Sequence, residues 1–282
     1  MPAADPLSAL PPLRDVIAAH NLRAEKKLGQ NFLLDLNLTD KIARAAGDLS
    51  GAHVFEIGPG PGGLTRALLK TGAEKLTAIE FDPRAVAALQ DLKEAANGRL
   101  DILEADALKT DLLDLSGQER EIVIVANLPY NIATPLLTGW LEQIYENPGR
   151  FRSMTLMFQK EVAQRIVATP KTKPYGRLAV LSQFICTPKI IFDLPPSAFT
   201  PPPKVTSSVV HFIPKKIGAA SRPVFNEIEK LTAAAFGQRR KMIRSSLKAY
   251  AQHFEAYGLD ETARAEDLSV EDYIKLALAV RS

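Results

Sequence analysis

Sulfur and metal-ligating side chains are scarce in this chain. A single cysteine, Cys186, stands in 282 residues, so no internal disulfide can form. Four histidines and that one thiol, none at ligand spacing, argue against a structural zinc site, and no metal is expected. Long apolar runs are also missing. The longest uncharged stretch, Ile122 to Leu141, contains Asn127, Pro129, Asn131, Thr134, Pro135 and Gly139. A lipid-facing helix does not tolerate so many breaks and polar groups, so the stretch reads as strand, loop and helix. From Met1 to Leu13 no basic residue precedes the apolar positions, which argues against a signal or transit peptide. The expected location is therefore cytoplasmic, with no membrane partner. No internal repeat is visible.

What is present is ordinary globular composition, 46% hydrophobic and 24% charged, at a length that suggests about two domains. Such a chain buries enough surface to need no covalent staple. Its net charge of +3 hides a strong segregation. Met1 to Glu146 carries 14 Lys/Arg against 21 Asp/Glu, and Asn147 to Ser282 carries 21 against 11. Arg150, Arg152, Lys160, Arg165, Lys171, Lys173, Arg177 and Lys189 are accompanied only by Glu161. Arg239, Arg240, Lys241, Arg244 and Lys248 occur in a stretch, Leu231 to Phe254, with no acid at all. Either cluster alone would be a solvated face. Two of them opposite an acidic half point to a polyanion, and nucleic acid is the natural one.

Strands and helices alternate over most of the chain. Apolar strands are expected at His53–Ile57, Leu76–Glu80, Leu100–Leu103, Ile122–Ala126, Met154–Phe158, Val180–Cys186 and Val205–Phe212. Helices are expected at Leu36–Ala46, Gly63–Lys70, Pro83–Ala95, Pro135–Tyr145 and Lys160–Val167. This alternation predicts an α/β fold with a parallel sheet. Prolines 195, 196 and 201–203 mark an extended connector. After Pro223 the pattern is helical: Val224–Phe236, Arg239–His253 and Val270–Val280. A domain boundary is expected near Pro214 to Pro223.

Three motifs carry chemistry. Glu56-Ile57-Gly58-Pro59-Gly60-Pro61-Gly62-Gly63 follows the first strand and opens a helix, where glycines let backbone approach a ligand. Glu80 ends the next strand, 22 residues after Gly58, and could grip two ribose hydroxyls. Alone, this pair fits a dinucleotide as well as S-adenosylmethionine. Glu104-Ala105-Asp106-Ala107-Leu108 ends the third strand, and a carboxylate there can accept from an adenine amine. Asn127-Leu128-Pro129-Tyr130-Asn131-Ile132 follows the fourth strand. An exocyclic base amine is a poor nucleophile because its lone pair is delocalised into the ring. The Asn127 side-chain oxygen and the Leu128 carbonyl can accept its hydrogens and aim that lone pair, while Tyr130 offers a face for an extruded base. Such an Asn-Leu-Pro-Tyr turn is of the type found in amino-group methyltransferases.

With Lys26-Lys27-Leu28-Gly29-Gln30-Asn31-Phe32-Leu33 and the later Phe199-Thr200-Pro201-Pro202-Pro203-Lys204-Val205 segment, these motifs resemble the KsgA family of ribosomal RNA adenine dimethyltransferases. The resemblance runs from about Lys26 to the helical tail. It implies a Rossmann-like class I methyltransferase sheet with helices on both faces and a small all-α C-terminal domain. The implied divisions are an N-terminal extension (1–25), an S-adenosylmethionine-dependent domain (26–214) and a helical RNA-binding domain (215–282). It also implies roles. Asn31, Leu33, Gly58, Glu80, Asp106 and Asn127 would hold S-adenosylmethionine, and Tyr130 and Phe199 would sandwich the target base. Phe199 by its apolar setting alone would be core. The reaction implied is dimethylation of two adjacent adenines near the 3′ end of 16S ribosomal RNA in the small subunit.

No dedicated base is expected, because a methylated amine sheds its extra proton readily. Cys186 and His53 are expected to be structural. Arg239, Arg240, Lys241 and Arg244 are expected to contact RNA phosphates, with positions 240 and 244 one helical turn apart on a shared face. A monomer is expected. The rivals are a macrolide-resistance type 23S methyltransferase, a non-catalytic RNA-binding assembly factor on the same fold, and an NAD dehydrogenase. The last would leave the Asn-Leu-Pro-Tyr turn unexplained.

Overall fold

A run of β-branched residues, Ile122-Val123-Ile124-Val125, sits at the centre of the molecule and shows how the core is divided. Val123 and Val125 face one apolar cluster, and Ile122, Ile124 and Ala126 face another, as the two-residue period of a strand requires. The computed structural model describes residues 6–25, 29–117, 120–217 and 224–280. Lys26, Lys27 and Leu28 of the N-terminal signature lie outside them, as does the 218–223 part of the expected boundary.

The elements in chain order are α1 (Leu13–Ala19), β1 (Phe32–Leu33), α2 (Leu36–Ala45), β2 (His53–Ile57), α3 (Gly63–Lys70), β3 (Lys75–Glu80), α4 (Pro83–Ala88), α5 (Gln90–Ala95) and β4 (Leu100–Glu104). There follow α6 (Leu112–Ser116), β5 (Ile122–Ala126), α7 (Ala133–Glu146), β6 (Phe151–Gln159), α8 (Lys160–Ile166), α9 (Arg177–Ile185), β7 (Cys186–Leu194), β8 (Phe199–Thr200) and β9 (Ser207–Pro214). The chain closes with α10 (Phe225–Gly237), α11 (Ile243–Ser246) and α12 (Val270–Ala279).

Among the described residues, seven strands form the main sheet in the order β4-β3-β2-β5-β6-β9-β7. β4 to β6 are parallel, and β9 runs antiparallel to both β6 and β7. Helices cover both faces. One cluster joins Val54, Leu76 and Val123 to Ile42 of α2 and Leu68 of α3. The other joins Ile124, Leu156 and Phe212 to α7, α8 and α9, and continues without a break into Ile228 of α10 and Leu276 of α12. The order reverses between β2 and β5, and in a doubly wound sheet the crevice outside those two strand ends receives ligands.

Three expectations are corrected. The Val180–Cys186 run is not a strand. It forms the last two turns of α9, and β7 begins only at Cys186. A short run that is apolar on both sides of Ser182-Gln183 cannot be assigned to buried helix or buried strand by periodicity alone. Here Ala179, Val180, Leu181, Ser182, Phe184 and Ile185 are all buried, because α9 packs against α7, α8, α10 and α12. The Arg239–His253 stretch is not one helix. Residues 238–241 form a turn, α11 has a single turn, and Lys248–His253 is a 3-10 stretch. The Ile243 and Arg244 N–H groups donate to the Ala263 and Glu261 carbonyls (2.8 and 3.1 Å) instead of to carbonyls one turn back. The helix expected over Pro83–Ala95 is likewise two helices, α4 and α5, that meet at Leu89.

Residues 6–25 pack against this frame. Leu7, Leu13, Val16 and Leu22 are buried, and Arg66 of α3 donates to the Pro11 carbonyl (2.8 Å). No helix among the described residues is long and apolar enough to cross a membrane.

Candidate active site

Four strand ends converge on one crevice of about 270 Å³. Its wall begins where β2 gives way to the glycine turn. Gly58, Gly60 and Gly62 have φ of 66°, 54° and 86°, a region open to glycine and strained for other residues. A Cβ on Gly60 would also lie 3.0 Å from the Phe32 ring, which packs over the turn.

Glu80, at the end of β3, is 6% exposed and fixes this turn. Its Oε2 accepts the Gly60 N–H (3.1 Å), and Oε1 accepts the N–H groups of Phe81 and Asp82 (both 2.9 Å). Burial still raises its pKa above the ordinary carboxylate value, against the pull of those three N–H donors. Asp106, beyond β4, is half-buried. It caps the turn Ala107–Lys109 by accepting the Leu108 N–H (3.0 Å), with Lys109 Nζ 3.7 Å away.

The loop after β5 supplies the opposite wall. Asn127 Nδ2 donates to the Asn31 carbonyl (3.1 Å), which leaves the amide oxygen as the acceptor end. Leu128 is buried. The Tyr130 hydroxyl pairs with Ser207 at the start of β9 (2.6 Å), and burial raises its pKa. Asn31, Leu33, Gly58, Glu80, Asp106, Asn127, Leu128 and Tyr130 all line the crevice.

Phe199 lies apart from this set. It is 2% exposed, pairs with Leu33 across the β1–β8 ladder, and is packed into the core of the α2–α3 face. It is not among the described residues lining the crevice.

The basic candidates lie elsewhere. None of Arg239, Arg240, Lys241 and Arg244 is among the described residues lining the crevice. Arg239 is ion-paired with Glu266 and donates to the Lys173 carbonyl (2.9 Å), which joins the two basic stretches seen in the sequence. Arg244 is 3.6 Å from Glu261. Arg240 and Lys241 are exposed. Positions 240 and 244 do not share a helical face, because Arg240 lies in the turn before α11.

Sequence reasoning missed Glu56 as a site residue. It is 1% exposed, lines the crevice, and its Oε2 has no hydrogen-bond partner among the described residues. Burial pushes its carboxyl up to about 8. The available signal was a lone carboxylate inside the apolar strand His53-Val54-Phe55-Glu56-Ile57. Gln30, Asp82 and Ser207 were missed as well, since their partners lie 52 and 77 residues away in sequence. Cys186 is fully buried and its thiol is pushed up to about 12. His53, depressed to about 4 by burial, pairs with Thr77 inside the sheet (2.8 Å).

This geometry has known counterparts. A curated relative from Xanthobacter autotrophicus, named ribosomal RNA small subunit methyltransferase A, is 56% identical, and the match covers 96% of this chain and 94% of that one. A relative of the same name from Mesorhizobium japonicum is 54% identical over 97% and 99% of the two chains. The crystal structure of a dimethyladenosine transferase from Plasmodium falciparum superposes with a TM-score of 0.72 at 27% identity, covering 88% of this chain and 96% of that one. The 23S ribosomal RNA methyltransferase ErmE shares the fold, with a TM-score of 0.66 at 22% identity over 89% and 100% of the chains. The sheet is thus the class I methyltransferase sheet, closed by a helical C-terminal region. The model of the ribosomal RNA adenine dimethylase family matches residues 21–281, and the chain belongs to that family.

Proposed function

We propose that this chain transfers methyl groups from S-adenosylmethionine to the exocyclic amines of two adjacent adenines near the 3′ end of 16S ribosomal RNA, two on each. The observation that carries the reading is the convergence of Gly58, Glu80, Asp106, Asn127 and Tyr130 on one crevice. The residues present fit S-adenosylmethionine. A positive-φ glycine cradle admits close backbone approach, and buried Glu80 stands at the strand end facing it. The orphaned oxygen of Glu56 offers an amino group a partner on the same wall. When bound, S-adenosylmethionine supplies a methyl group on a positively charged sulfur.

The remaining work belongs to this chain. Asn31, Leu33, Gly58, Glu80 and Asp106 hold the donor. The Asn127 oxygen and the Leu128 carbonyl accept the hydrogens of the target amine and direct its lone pair. Tyr130, tethered through Ser207, stacks on the base. Positioning and polarisation account for the rate, and no general base is required. Arg240, Lys241 and Arg244 contact RNA phosphates, while Arg239 braces the loop at Lys173. The enzyme works as a monomer in the cytoplasm, on the small ribosomal subunit or its precursor. The near full-length kinship with relatives named for the small subunit favours this reading over a 23S substrate.

The test is transfer of labelled methyl groups to undermethylated 30S particles and, in parallel, to 23S RNA, with the modified nucleotides mapped. Dimethyladenosine at two adjacent 16S positions supports the proposal. Label confined to 23S refutes it.

A further inference from the structure

The Asn127 amide is oriented from outside its own loop, by the Asn31 carbonyl (3.1 Å). The segment carrying Asn31 is itself held at a second point. Gln30 Oε1 accepts the Glu25 N–H (3.0 Å), and Gln30 Nε2 donates to Asp82 Oδ2 (3.2 Å). Asp82 is 4% exposed, caps α4 by accepting the Arg84 N–H (3.0 Å), and is ion-paired with the Arg84 guanidinium (2.7 Å). Arg84 in turn reaches Glu25 (2.8 Å). On the other side, Gly29 lies so near the loop after β5 that a Cβ there would fall 2.6 Å from Asn131 Oδ1. Residues 29–31 are therefore fixed between the end of β3 and the loop that follows β5.

We propose that Gln30 is a positioning residue: its hydrogen bond to Asp82 sets the place of the Asn31 carbonyl and, through it, the rotamer of the Asn127 amide. This rests on the reading that the Asn127 oxygen receives the target amine. A primary amide turned by half a rotation presents an NH2 group where its oxygen should be, and two NH2 groups then face each other donor to donor. The Asn31 carbonyl, by taking the NH2 end, excludes that state. The link also ties the two walls together. The Asp82 N–H donates to Glu80 Oε1 (2.9 Å), so the turn that seats Gln30 is the turn that seats Glu80. The pair is well defended electrostatically, since the Arg84 contact, aided by Gln30, holds the Asp82 carboxyl below its ordinary range.

The test compares the full-length wild type with Gln30→Ala, Gln30→Glu and Asn127→Ala. For each, kcat and KM are measured on undermethylated 30S particles, with S-adenosylhomocysteine affinity measured by calorimetry. Gln30→Ala is expected to lower kcat about tenfold with KM for the particle changed by less than about twofold. Gln30→Glu sets carboxylate against carboxylate and loses at least as much. The loss falls on kcat while KM and S-adenosylhomocysteine affinity hold, which a merely structural role would not produce.

A Gln30→Ala enzyme with unchanged kcat, or one whose loss is confined to S-adenosylhomocysteine affinity, overturns the proposal. If those results accompany an inactive Asn127→Ala, only the positioning role fails. Near-normal turnover by Asn127→Ala refutes the reading of Asn127 itself.

Discussion

Replacing Glu56 by glutamine should change how stability depends on pH far more than it changes stability at acid pH. Burial raises the Glu56 carboxyl from its ordinary 4.5 to about 8, so the folded protein keeps a proton that the unfolded chain has already released. The stability associated with that neutral carboxyl is complete below pH 4.5 and erodes as the pH rises toward 8. Each pH unit in this window costs about 1.4 kcal/mol, and the whole window on the order of 5 kcal/mol. Glutamine has nearly the shape of the protonated acid and does not titrate. The difference in unfolding free energy between Glu56→Gln and wild type should therefore grow in favour of the variant from pH 5 to pH 8. Urea unfolding monitored at pH 5, 6, 7 and 8 with a common m-value measures it directly. Groups that titrate alike in both proteins cancel in the difference. A gap that stays constant across the range means that Glu56 is ionised in the folded state, and the argument from its orphaned, desolvated oxygen fails.

Other substitutions separate the parts of the crevice. Asn127→Ala should leave S-adenosylhomocysteine binding measurable by calorimetry while single-turnover methyl transfer falls by at least about a hundredfold, the scale for losing an aligned acceptor in a desolvated site. Gly60→Ala forces a strained φ and presses a methyl against Phe32, so cofactor affinity should fall well before the melting temperature does. Ser207→Ala removes the partner of the Tyr130 hydroxyl and should reduce kcat several-fold in the methyl-transfer assay, with cofactor affinity unchanged. Arg240→Ala combined with Arg244→Ala should weaken RNA binding and flatten the slope of log affinity against log salt by up to about two units. An unchanged slope would remove both residues from the RNA contact.

The legibility of the molecule in its sequence follows the range of the interactions involved. The glycine turn, Glu80, Asp106 and the loop from Asn127 each depend on a strand end and the few residues after it, and the sheet brought them together as the alternation of elements implied. Asp35 and Asp82 cap α2 and α4 through local hydrogen bonds that their own neighbours supply. What could not be read depends on partners distant in the chain. The Leu178–Ile185 run, apolar except at Ser182 and Gln183, suits a buried helix as well as a strand, and the helices packed around α9 decide its conformation. Arg239, expected at an RNA phosphate, is engaged by Glu266 and by the Lys173 carbonyl, 27 and 66 residues away in sequence. At Phe199 resemblance and environment diverge: the first places it beside the target base, while its apolar setting matches its burial against the α2–α3 face.

The position of α9 also limits how the molecule can be divided. The Phe184, Tyr145 and Phe225 rings stand in a row, with centroids 5.9 and 5.8 Å apart, and stitch α9 and α7 to the first helix of the tail. Severing the polypeptide after Pro214 would wet that row and strip one flank of a helix that leans on the catalytic sheet. The tail is thus a load shared with the crevice, and heating should melt both in a single cooperative step.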